Sequence, residues 1–244
     1  MKVLFRQKQW ILIQVIFAIV GIWMGVIVKA QSTGPSGGLA VGLHFINATD
    51  EYTLPILLIL LSDLAFTVEY VQGTFLTSLT GGKSRRSWML KKSATFYVFV
   101  LLQYILAFVL LSLAAGTVTG HIGLEGLKAS NATSYNVIAR EMGMKVLQTL
   151  VFVSFGVFVT TLLPGKLVIG SIASMGIILL GGRFETYLYY VFHQNTVVGR
   201  LLYIVWMQDP NTAWSWVFGC TAFALLVWAS AERVQRIEVP SRGV

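Results

Sequence analysis

The chain alternates between long apolar runs and short polar or basic stretches. The apolar runs extend from Trp10 to Val28, Tyr52 to Val68, Ser93 to Val118, Met144 to Leu163, Leu167 to Gly182 and Ala213 to Ala231. About 20 apolar residues in helical form cross the ~30 Å hydrocarbon core of a bilayer. Inside lipid, a lone segment satisfies its own backbone hydrogen bonds only as a helix. The pattern therefore predicts an all-α integral membrane protein, a single transmembrane domain over residues 1–244 with six transmembrane helices. The run 167–182 is short for a crossing. It is rich in Gly, Ser and Ala, which let neighbouring helices approach closely.

The segments between the runs have their own signals. Residues 1–9 mix Lys2, Arg6 and Lys8 with Val3, Leu4 and Phe5. This suits either a short N-terminal interfacial helix on the inner leaflet or a frayed basic start. No short-residue cleavage site closely follows the first run, so it is expected to be a retained anchor. Gly34, Pro35, Gly37 and Gly38 mark a loop, residues 119–143 a polar loop, and Pro164, Gly165 and Lys166 a tight turn. The segment 186–206 is long enough to cross a bilayer, yet His193, Gln194 and Asn195 occupy its centre and Arg200 follows. An Arg at mid-bilayer costs about 2.5–3.5 kcal/mol. Tyr187, Tyr189, Tyr190, Tyr203 and Trp206 near its ends suit an interface. The expectation is a re-entrant outer hairpin before the last span, broken near residues 195–199.

Charge fixes the expected orientation. Hydrophobic residues make up 56% of the chain and charged residues 11%, against about 25% charged in a typical soluble domain. With the N-terminus inside, the cytoplasmic stretches 1–9, 69–92, 164–166 and 232–244 carry most of the 18 Lys and Arg residues. The exceptions are Lys29, Lys128, Arg140, Lys145, Arg183 and Arg200. This obeys the positive-inside rule, so both termini are expected in the cytoplasm. The formal net charge of +8 then reports orientation in the cell membrane rather than a nucleic-acid partner.

Few residues suggest chemistry. His44, His121 and His193 are scattered, no metal-ligand spacing exists, and Cys220 is the only cysteine. Gly81-Gly82-Lys83-Ser84 invites a nucleotide reading, but a phosphate-binding loop needs Gly at position 77, where Thr77 stands. The chain is therefore expected to be no enzyme and to hold no cofactor, so an energised function needs a separate ATPase. Asp63 is the clearest acid within a run. It is a functional candidate because intramembrane ionisable groups are costly, although its shallow depth also suits a side chain reaching the interface. Gln14 and Gln103 suit interhelical hydrogen bonds or a substrate path. Arg183, Glu185, His193 and Arg200 would line an outer gate, or pair on the surface for little gain.

The stretch Glu69 to Lys92 is the most informative. Val71, Phe75 and Leu79 repeat on one helical face, Gly81 and Gly82 end the pattern, and Arg85, Arg86, Lys91 and Lys92 lead into the next run. An amphipathic helix there would dock in a partner's groove; an ordinary loop with charges set by topology is the alternative. Glu69, Gly73, Thr74, Ser84, Arg85 and Lys92 resemble the equivalent stretch of ABC-2 type permeases, the membrane subunits of certain ABC transporters. Lys83 stands where that family often has proline. The first-span elbow, six spans and broken outer hairpin are similar too. The resemblance implies a homo- or heterodimer of such subunits docked on cytoplasmic ABC ATPases, which would hold the ATP and Mg. Phe75 and Arg86 would join the six in coupling. It also implies kinship with small Gram-positive permeases that export amphipathic peptides, such as the phenol-soluble modulin exporters. An ATPase-independent channel or intramembrane enzyme is the competing expectation.

Overall fold

A computed structural model describes residues 8–31, 37–42, 84–123, 135–163, 169–170, 172–177, 180, 191, 197, 201 and 212–236. Among these, all regular secondary structure is helical. The long helices are α1 (Lys8–Gln31), α2 (Arg85–Thr119), α3 (Tyr135–Leu162) and α4 (Ala213–Gln235). Three helical stretches among the described residues, Arg85–Thr119, Ala139–Leu162 and Ala213–Gln235, are long and apolar enough to cross a membrane. Their outward faces agree with that environment: Ile105 is 51% exposed and Trp214 69%. Large apolar surfaces of this kind are stable against lipid and costly against water.

Two helices begin earlier than their apolar runs. α2 starts at Arg85 rather than Ser93, and α3 at Tyr135 rather than Met144. The expected loops 69–92 and 119–143 therefore lose their last residues to helix. Hydrophobicity marks only the part of a helix that faces lipid. Arg85, Arg86, Arg140 and Glu141 are good helix formers that continue the hydrogen-bond ladder beyond it. Ser84 starts α2 cleanly: its Oγ accepts the Ser87 N–H at 3.2 Å and its carbonyl accepts the Trp88 N–H at 3.0 Å. Gly120, at φ +83°, stops it. Its N–H bonds the Gly116 carbonyl at 2.9 Å, in the left-handed conformation that glycine adopts without Cβ strain.

The chain divides into two compact units, each made from two stretches: Met1–Glu51 with Val98–Val146, and Tyr52–Tyr97 with Leu147–Val244. The first unit is organised by a seam between α1 and the later part of α2. Gln14 meets Gln103 and Lys29 meets Val118, each pair 89 residues apart. Between them, Gly21 faces Leu111 and Ala114, and Gly25 faces Ala115 and Val118. A constant offset means the two helices run parallel and in register. The backbones touch here: a Cβ at Gly21 would lie 2.8 Å from the Leu111 carbonyl oxygen, and one at Gly25 3.1 Å from Ala115 Cα. Small residues are what permit such an approach between membrane helices.

Residues 38–42 form a helical turn that caps the seam. Gly38 N–H donates to the His121 carbonyl at 2.8 Å and Leu39 N–H to the Ile122 carbonyl at 3.1 Å. Gly42 lies against the Ser112 hydroxyl, with no room for a Cβ. In the second unit, Tyr97 packs edge-on against Phe223, with ring centroids 5.0 Å apart. Ser154 Oγ and Tyr97 OH lie 3.1 Å apart, while Ser154 also donates to the Leu150 carbonyl at 2.7 Å. A serine has one proton to give, so Tyr97 donates to Ser154.

Gly21→Val should therefore destabilise the protein by about 1–3 kcal/mol through overpacking. Gly176, where an added Cβ would meet nothing within 4 Å, serves as the contrast. Gly176→Ala should be neutral or stabilise by about 0.4–1 kcal/mol. Thermal unfolding in detergent measures both.

Candidate functional site

The residues expected to carry function fall in three groups. Ser84, Arg85, Arg86 and Lys92 sit together on the first two turns of α2. Gln14 and Gln103 are brought together across the seam. Glu69, Gly73, Thr74, Phe75, Asp63, Arg183, Glu185, His193 and Arg200 lie outside the described residues.

The basic end of α2 is two-sided. Met89, Ser93, Phe96 and Tyr97 recur at helical spacing and are buried, Met89 almost completely at 1% exposure. Arg86, Leu90 and Lys91 are exposed on the other side. Lys92 Nζ lies 5.1 Å from the Trp88 ring centroid, one turn back along the helix. A cation over an indole face at this distance is held by the ring quadrupole. Thr95 Oγ1 donates to the Lys91 carbonyl at 2.9 Å. The cations are thus carried on a capped, packed helix rather than on a loose loop, and their spacing is set by its backbone.

That helix is also mechanically continuous. From Arg85 to Ala115 it contains neither proline nor glycine, the residues at which helices commonly kink. Its 35 residues extend about 52 Å, well beyond the ~30 Å hydrocarbon core. Arg86 and the seam residues Leu111–Val118 thus lie on this one helix.

Within the seam, Gln14 Nε2 donates to Gln103 Oε1 at 3.0 Å. Gln14 Oε1 is buried and accepts no hydrogen bond among the described residues. At the far end Lys29 Nζ donates to the Val118 carbonyl at 3.0 Å, placing a cation at the negative end of the α2 dipole. Pattern reading does not single out Lys29, Tyr97 or the two glycines. The Gly21-x-x-x-Gly25 spacing is the signal that finds the glycines. Nothing in a single sequence pairs Lys29 with Val118 or Tyr97 with Ser154. Among the described residues no group of three or more His, Cys, Asp or Glu side chains is placed to hold a metal ion.

The sequence matches no known family model, and no curated protein is significantly similar to it.

The Gln14–Gln103 tie predicts a characteristic non-additivity. Gln14→Leu or Gln103→Leu alone leaves a buried amide without its cross-helix partner and should lower stability. The double variant should be less destabilised than the two single effects added together. A double-mutant cycle by thermal unfolding should give a coupling of about 0.6 kcal/mol, the average for interhelical hydrogen bonds in a membrane protein.

Proposed function

We propose that the chain is the permease subunit of an ABC transporter of the ABC-2 type. It would work as a dimer with a second copy or a relative, and would be driven by a separate cytoplasmic ATPase that binds ATP and Mg. The observation that carries this reading is the basic start of α2: cations on a capped helix that continues to the residues in close backbone contact with Gly21 and Gly25 of α1. A motor gripping that end would act on a stiff lever. Its stroke would reach α1 through the glycine seam, which transmits axial motion because the backbones are in contact.

The parallel course of α1 and α2 supports the proposed orientation. Two parallel helices that both cross a bilayer start on the same side, so the chain must return across the membrane between them. The apolar run 52–68 is the segment whose composition suits that return. Lys8 and Arg85 would then begin their helices on the cytoplasmic face, as the charge bias requires. The cargo proposed is hydrophobic or amphipathic, such as a peptide. A two-state shift between inward- and outward-facing forms would follow from the ATPase's different affinities for nucleotide in each.

The test is a mild-detergent pull-down from the native cell, followed by assay of ATP hydrolysis in the eluate. The proposal expects an ATP-hydrolysing partner to co-purify. Arg85→Glu with Arg86→Glu should cut its recovery at least several-fold while leaving the permease folded. Transport by the purified chain alone, with no ATPase present, would contradict it and favour a channel.

A further inference from the structure

The exposed side of α2 changes character once along its length. Arg86, Leu90 and Lys91 are exposed at its start, and Val98, Leu102 and Ile105 are exposed further on, at 47%, 47% and 51%. At 3.6 residues per turn these six positions fall within one half of the helix circumference. Cations and apolar side chains therefore form one continuous stripe on a single helix. The opposite side, with Met89, Phe96 and Val100, is buried.

The charges on this stripe, Arg86 and Lys91, have no acidic partner among the described residues, and α2 itself contains no Asp or Glu. Leu90, 39% exposed between them, is unfavourable on a purely aqueous surface. It is well placed at the boundary where headgroups meet acyl chains. The spacing suits that boundary as well. Lys91 to Leu101 is about 15 Å along the helix, close to the hydrocarbon depth of one leaflet, half of ~30 Å.

We infer that this stripe is a binding site for one anionic phospholipid, its phosphate held by Arg86 and Lys91 and its acyl chains laid along Val98, Leu102 and Ile105. Long cationic side chains at a helix end reach the headgroup level while their stems stay against apolar surface, and each such cation adds about 1 kcal/mol of attraction to an anionic surface. The occupant is an intact lipid rather than a free phosphate, because only a lipid covers the apolar part of the stripe. The inference does not depend on an ATPase partner.

The experiment offers the detergent-purified full chain an equimolar mixture of phosphatidylglycerol and phosphatidylcholine and counts bound lipids by native mass spectrometry. Phosphatidylglycerol should be retained in preference. Arg86→Gln and Lys91→Gln should each reduce that preference about fivefold, the factor equivalent to the ~1 kcal/mol per cation. The charge-keeping pair Arg86→Lys with Lys91→Arg should preserve it, as should Arg236→Gln, which removes an exposed cation from the end of α4. Excess glycerol 3-phosphate should not displace the lipid. Equal retention of the two lipids would overturn the site. So would an equal loss in Arg236→Gln, which would reduce the effect to net charge, or displacement by glycerol 3-phosphate, which would make the ligand a free anion.

Discussion

The first unit depends on two helix backbones lying against each other. In lipid, apolar side chains gain little by leaving one oily surface for another, so association rests on close packing and interhelical hydrogen bonds. α1 supplies the space with Gly21 and Gly25, and α2 fills it with Leu111, Ala114, Ala115 and Val118. Polar ties reinforce both ends of the contact: Gln14 to Gln103 at one, Lys29 to the Val118 carbonyl at the other. The turn at 38–42 then closes over the end of α2 through backbone hydrogen bonds to His121 and Ile122. Each of these contacts keeps the same register, so a slip of one turn would break all of them together.

That register gives the rest of α2 its significance. The helix carries charge at one end, lipid-facing apolar residues along one side and the seam near its other end, with no kink-forming residue between Arg85 and Ala115. In the proposed transporter, force entering at the basic end would arrive at α1. The proposed lipid site and the proposed motor grip overlap at Arg86. Arg86 and Lys91 face outward, whereas Lys92 is turned back over Trp88. A bound anionic headgroup would also fix the height of α2 in the leaflet, which is what a lever requires of its fulcrum.

Much of the helical framework is legible in the sequence, because lipid enforces it. The apolar runs 10–28, 93–118 and 213–231 each fall inside one helix, and 144–163 falls inside α3 but for its last residue. The polar extensions at Arg85 and Tyr135 are not legible from hydrophobicity, since backbone hydrogen bonding carries a helix past the lipid boundary without any apolar signal. Gln14 and Gln103 stand out individually as polar residues in apolar runs, but their pairing does not. Which faces meet is a tertiary choice among several similar apolar surfaces. The glycine spacing narrows that choice on α1 and leaves the partner open. The Tyr97–Ser154 bond and the Tyr97–Phe223 contact join residues from distant stretches with no shared periodicity.

The parallel register of α1 and α2 can be checked directly from the side of the membrane on which their ends emerge. Single cysteines would replace Lys29, His121 and Arg86, all exposed, in a chain whose exposed Cys220 is first changed to serine. Each would be challenged on intact cells with a membrane-impermeant maleimide. Positions 29 and 121 should react from outside, and position 86 only after the cells are permeabilised. Labelling of 29 and 121 from opposite faces would make the two helices antiparallel and contradict the seam.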